Sequence, residues 1–125
     1  MNLNQVTIYS DKSKELAEFY QTLGLKIIVD SLPRYARFEC PDGEATLSVH
    51  AAEEPETASN IVLYFECADL DEKVAELKTA GLEFEQDPVD QIWLWREAYL
   101  RDPSGNRICL YRAGENRRNP PWRVK

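Results

Sequence analysis

The chain has 125 residues, 43% hydrophobic and 30% charged, with a formal net charge of -7. That length leaves room for one domain with one main core, and so acidic a surface repels a phosphate backbone, which excludes nucleic acid as a partner. No apolar run approaches the roughly 18 residues of a membrane span, the N-terminus lacks the pattern of a secretory signal, and Cys40, Cys67 and Cys109 show no CxxC spacing, so a reducing cytoplasm is the expected compartment. Residues 2–9 alternate as a strand, with Leu3, Val6 and Ile8 on the pattern. Ser10 and Asp11 offer N-cap oxygens to a helix over 12–23, whose Leu16, Phe19, Tyr20 and Leu23 share a face and which stops at Gly24. Strands follow at 25–30, 35–40 and 45–50, the last two joined by the Pro41-Asp42-Gly43 turn. Residues 52–59 are polar, acidic and broken by Pro55, and read as a linker.

After the linker the order repeats. A strand over 60–67 leads to Asp69 and Glu72, which have the spacing of a capping box. Val74, Leu77 and Ala80 mark a helix ending at Gly81. A short strand at 82–85, a long one at 92–101, the Asp102-Pro103-Ser104-Gly105 turn and a last strand at 107–112 complete the copy. The chain therefore reads as two βαβββ modules, 2–51 and 60–112, in a single domain with a tail over 113–125. Helix, Gly-Leu and strand recur at Gly24 and Gly81, 57 positions apart. Two such copies complete each other rather than stack as a solenoid. The fold class is α+β, a curved mixed sheet with helices on one side and a cleft lined by alternate strand residues on the other.

Several of these features together resemble one family. Phe19-Tyr20 leads to Leu23-Gly24-Leu25, Tyr64-Phe65-Glu66 runs into Asp69-Leu70-Asp71, and Asp102-Pro103-Ser104-Gly105-Asn106 precedes an apolar strand. In this order they resemble the vicinal oxygen chelate superfamily of glyoxalases, bleomycin resistance proteins and extradiol dioxygenases, over about residues 3–112. The resemblance implies paired βαβββ modules, a homodimer, and a small-molecule cleft that in many members holds a divalent metal. It places the four metal-ligand positions on Gln5 (with Asn4 one residue away), Ser48, Val62 and Cys109. Gln is a weak neutral ligand, Ser is poor, Val has no donor, and a lone thiolate makes a weak site. No metal cofactor is expected.

The residues turned into the cleft are then Gln5, Thr7, Ser48, His50, Val62, Tyr64, Cys109 and Tyr111, a lining suited to a small organic ligand with aromatic or apolar parts. His50, the sole histidine, shares the side of Ser48 and is a candidate hydrogen-bond donor or general base, or simply a rim residue. Trp93 and Trp95, with Tyr99, alternate along the seventh strand as a stacking wall, or as core or dimer interface. Arg96 faces the other way and pairs with Glu97 as ordinary surface charge. Cys40 and Cys67 read as small buried hydrophobes, and Ser104 lacks a hydrolase elbow. Trp122, behind Pro120-Pro121 and among Arg117, Arg118, Arg123 and Lys125, is expected to dock over the cleft mouth or on a partner subunit. The expected function is metal-independent binding or sequestration of a small organic ligand. The alternatives are a metal-dependent glyoxalase-type lyase, isomerase or dioxygenase, and a non-catalytic dimeric interaction module.

Overall fold

The computed structural model describes residues 2–53 and 61–124, so most of the linker expected at 52–59 lies outside the described residues. The chain falls into two compact units, Met1–Ser59 with Asp102–Gly105, and Asn60–Arg101 with Asn106–Lys125. Each has the βαβββ order read from the sequence. The first runs β1 (Gln5–Ser10), α1 (Ser13–Leu23), β2 (Lys26–Ser31), β3 (Tyr35–Glu39), β4 (Thr46–Ala51). The second runs β5 (Val62–Glu66), α2 (Leu70–Thr79), β6 (Phe84–Asp90), β7 (Arg96–Arg101), β8 (Arg107–Arg112). A 3-10 turn, Gly114–Arg117, follows β8. The result is two four-stranded mixed sheets, ordered β1-β4-β3-β2 and β5-β8-β7-β6. In each, the first and last strands of the module pair in parallel and the other pairs are antiparallel.

The pleat sorts side chains between the two faces of each sheet. In the first, α1 lies against β4, and its Leu16, Phe19, Tyr20 and Leu23 are buried along with Ala36, Phe38, Leu47 and Val49. Gly24, at φ 123°, ends α1, and its N–H bonds the Tyr20 and Gln21 carbonyls. In the second, α2 lies against β6 and β8, with Leu70, Val74 and Leu77 buried along with Ala98, Leu100, Ile108 and Leu110. Burying each of these larger side chains stabilises the fold by roughly 1.5–3 kcal/mol.

Four local expectations are corrected. The helices start without side-chain caps: Lys12 and Asp69 are the N-cap residues and neither makes a cap bond. Ser10 Oγ instead accepts the Lys12 N–H at 2.9 Å and bonds Ser104 Oγ. β6 is longer than 82–85 and runs through Pro88, which it tolerates as an edge strand with register shifts at 84/86 and 86/89. β7 begins at Arg96, not at residue 92. Gln91 donates its N–H to the Trp95 carbonyl at 2.7 Å and Leu94 donates to Gln91 at 3.0 Å, closing a turn that leaves Ile92 91% exposed. The apolar run Ile92-Trp93-Leu94-Trp95 is thus a hairpin tip, whose hydrophobicity imitates a strand.

Candidate functional site

The sheet faces turned away from the helices carry the side chains on which chemistry can act. In the first unit, Gln5, Thr7 and Tyr9 on β1 stand beside Thr46, Ser48 and His50 on β4, and Tyr35 and Arg37 on β3 stand on the far side of β4. A directional chain of hydrogen bonds joins them. Thr46 Oγ1 donates to Gln5 Oε1, Gln5 Nε2 donates to Ser48 Oγ at 2.8 Å, and Ser48 Oγ lies 2.8 Å from the Tyr35 hydroxyl. Arg37 Nε donates to the same hydroxyl at 2.9 Å. The Ser48 hydrogen bond, and then Arg37, hold the Tyr35 phenol below its ordinary range. His50 packs against the rings of Tyr9 and Tyr35, at centroid distances of 5.0 and 6.0 Å, with Nδ1 2.9 Å from the Ala51 carbonyl.

In the second unit the corresponding face is aromatic. Val62, Trp95 and Tyr99 pack against the buried group Cys109, Tyr111 and Ala113. Trp95 and Tyr111 stack, with centroids 4.6 Å apart at 15°, and Tyr64 sits edge-on to both. Tyr64 keeps 49% of its surface exposed. The Arg107 guanidinium lies over the Tyr99 ring, 4.1 Å from its centroid. Burial pushes the Cys109 thiol up to about 12, so it is protonated at neutral pH. Burial also raises the Tyr99 and Tyr111 phenols. Glu66 Oε2 accepts the N–H groups of Ala113 and Gly114, both at 2.8 Å, which fixes the start of the 3-10 turn. A shallow depression of about 590 Å³ opens at the hairpin end of this unit, lined by Asp90, Leu94, Trp95, Arg96, Arg112 and Asn116 among others.

The structure brings Gln5 and Ser48 into contact and places Val62 and Cys109 on one face of the second sheet. A divalent ion does not fit these side chains. The one ligating atom of Gln5, Oε1, accepts from Thr46, the Ser48 oxygen is spent on Gln5 and Tyr35, Val62 has no donor, and Cys109 is a neutral thiol. Among the described residues no three His, Cys, Asp or Glu side chains gather to hold a metal ion.

Three expectations about individual residues change. Trp93 and Trp95 do not alternate along β7. Both lie in the hairpin tip, where Trp93 Nε1 donates to Glu97 at 3.0 Å and Trp95 Nε1 to the Asn116 carbonyl at 3.4 Å. Glu97 is not a surface partner of Arg96. It is buried on the aromatic face, while Arg96 turns to the other side and pairs with Asp71 at 2.9 Å and Asp90 at 3.1 Å. The alternation that set Arg96 apart from Trp95 and Tyr99 puts Glu97 with them, so its place was readable from spacing alone. Trp122 is not docked on this chain and remains 57% exposed. Tyr9, Tyr35, Arg37 and Thr46 join the first face through strand pairing, which spacing within one strand does not reveal.

Two four-stranded mixed sheets, each built from a βαβββ module with a helix on one face, define a glyoxalase-like α+β fold. The model of the Glyoxalase/Bleomycin resistance protein/Dioxygenase superfamily matches residues 2–110, and the chain belongs to that superfamily. Among solved structures it is similar to a glyoxalase/bleomycin resistance protein/dioxygenase from Nocardioides, with a TM-score of 0.80 and 20% identity over 100% of this chain and 90% of that one. It is also similar to lactoylglutathione lyase from Agrobacterium tumefaciens, with a TM-score of 0.72 and 18% identity over 89% and 92% of the two chains. TioX from Micromonospora sp. ML1 gives a TM-score of 0.72 and 18% identity over 90% and 99%. Comparison with curated proteins gives no match. Among the described residues, no helix is long and apolar enough to cross a membrane.

Proposed function

We propose that the protein binds a small organic ligand with aromatic or apolar parts, without a divalent metal, in the manner of a binding or sequestration member of its superfamily. The observation that carries this reading is the aromatic face of the second sheet. There the half-exposed Tyr64 ring sits edge-on to the stacked Trp95 and Tyr111 rings, Tyr111 itself being buried, on the side of the sheet without a helix. Rings so placed offer a planar ligand stacking or edge-on contacts worth roughly 0.5–1.5 kcal/mol each beyond the area they bury. The metal-dependent lyase reading is disfavoured by the donors themselves, since an amide, a hydroxyl, an isopropyl group and a protonated thiol make a poor cage for Zn²⁺, Ni²⁺ or Fe²⁺.

Thermal melting separates the two readings, because whatever binds only the folded state raises its melting temperature. Chelator-treated protein is expected to melt at the same temperature with or without added Zn²⁺, Ni²⁺, Mn²⁺ or Fe²⁺. Some members of a panel of planar aromatic compounds are expected to raise it. A rise of several degrees with one metal and none with any aromatic compound overturns the proposal.

A further inference from the structure

The most unusual group on the second sheet is the Glu97 carboxylate. It is 2% exposed, yet no cation among the described residues forms a salt bridge with it. Its hydrogen bonds come from neutral groups: Trp93 Nε1 donates to Oε2 at 3.0 Å, and the Tyr99 hydroxyl donates to Oε1 at 3.1 Å. The neighbouring arginines are committed elsewhere. Arg96 pairs with Asp71 and Asp90, Arg107 lies over the Tyr99 ring, and Arg117 approaches Glu66 at 3.8 Å. A carboxylate removed from water is costly without a counter-charge, and two neutral donors fill about half of its accepting capacity.

We infer that the aromatic face of the second sheet receives a cationic group of its ligand, an ammonium, amidine or guanidinium, on the carboxylate of Glu97. This rests on the small-molecule reading above and names the ligand's chemical class. The surroundings of the carboxylate suit such a group. Tyr99 on β7 and Tyr111 on β8 flank it, and Trp95 stacks on Tyr111. The Tyr99 ring face is already occupied by Arg107, so the cation's partner is the carboxylate itself, and the half-exposed Tyr64 ring is left for an apolar body. The net charge of -7 draws cations toward the molecule and repels anions.

The route to the carboxylate runs past Trp93. That side chain is half exposed and sits in the hairpin tip rather than on a strand. It precedes Leu94, whose φ of 69° is a conformation that side chains other than glycine seldom adopt. Trp93 is thus the cover over Oε2, and its indole N–H holds the place that a ligand N–H takes when the ring turns aside. The exchange replaces a neutral donor with a charged one, which makes the stronger hydrogen bond.

Benzamidine, benzamide and benzoate share a ring and a planar head group but differ in charge, and so serve as probes for full-length 15N-labelled protein. The readout is the Trp93 indole N–H cross-peak, assigned from its loss in W93F. Benzamidine is expected to shift that peak with a Kd at least about tenfold below that of benzamide, with benzoate weaker still. E97Q is expected to bring benzamidine and benzamide within about twofold of each other. In W93F, followed through the Trp95 indole, benzamidine is expected to bind about threefold or more tightly than in the parent, because the competing donor is gone. This second variant decides the matter if E97Q fails to give a folded spectrum. Equal binding of the three probes, a charge preference that survives in E97Q, or weaker benzamidine binding in W93F overturns the cation assignment and leaves the small-molecule reading standing. If no probe shifts any peak of this face, the small-molecule reading fails and the assignment falls with it.

Discussion

Cys109 shows how environment sets the chemistry of a single side chain. It occupies one of the four ligand positions that the superfamily resemblance implies, and a thiolate there would be a metal ligand. Burial holds the thiol near 12 instead. In the unfolded chain it titrates near 8.5. Between those values the unfolded state loses its proton first, so the folded state binds more protons and stability falls as pH rises. Melting temperature is therefore expected to decline from about pH 8.5 upward. The Tyr99 and Tyr111 phenols, raised by burial, steepen the decline above about pH 10. Cys109→Ala should make the segment between about pH 8.5 and 10 shallower while leaving the steeper part, the residual slope coming from the Cys40 thiol, which burial also raises. A flat profile in the parent protein, or the same slope in the variant, would show that the thiol is not held protonated. Glu97 belongs at this scale too. Its partnership with Tyr99 was legible as i, i+2 spacing, but its burial and the hydrogen bond from Trp93 were not, because both depend on how the hairpin tip folds.

At the scale of the element, the β6–β7 hairpin decides most of what differs between expectation and structure. Ile92, Trp93, Leu94 and Trp95 satisfy a strand pattern, yet the backbone turns there. Leu94 takes a positive φ of 69°. A left-handed residue other than glycine costs roughly 1–2 kcal/mol, whereas glycine at such a position is unstrained and costs roughly 0.5–1 kcal/mol in chain entropy. Leu94→Gly is therefore expected to match the parent or to stabilise it by up to about 1 kcal/mol, and Leu94→Val to destabilise it by more than about 1 kcal/mol. Urea unfolding measures both. If valine is tolerated as well as glycine, the turn is not left-handed in solution. The strain falls next to Trp93, whose indole N–H bonds the Glu97 carboxylate.

At the scale of the whole molecule, the turn between β7 and β8 has a role that its local sequence only half discloses. Asp102-Pro103-Ser104-Gly105 reads as a turn, and it is one. Gly105 donates to the Asp102 carbonyl at 2.9 Å with a φ of 85°, and the Asp102 side chain accepts the Ser104 N–H at 2.9 Å. The same four residues belong to the first compact unit. The buried Tyr20 hydroxyl donates to Asp102 Oδ2 at 2.7 Å, and Ser10 bonds Ser104. Tyr20→Phe leaves a buried carboxylate short of a donor, at an expected cost of roughly 1.5–3 kcal/mol in denaturant unfolding. A loss below about 0.5 kcal/mol would mean that water replaces the hydroxyl.

Taken alone, the sequence determined the order of the elements, the duplication around Gly24 and Gly81, and the weak ligand chemistry of Gln5, Ser48, Val62 and Cys109, the four positions that the resemblance implies. These follow from hydrophobic period, turn chemistry and side-chain type, all of which are local. Only the tertiary structure decided that Gln5 and Ser48 satisfy each other, that Tyr35 and Arg37 join them across β4, and that Glu97 is buried with hydrogen bonds from Trp93 and Tyr99 and no salt bridge from the described residues. Those outcomes depend on strand register and on the fold of a hairpin tip, which bring together atoms that chain spacing leaves apart.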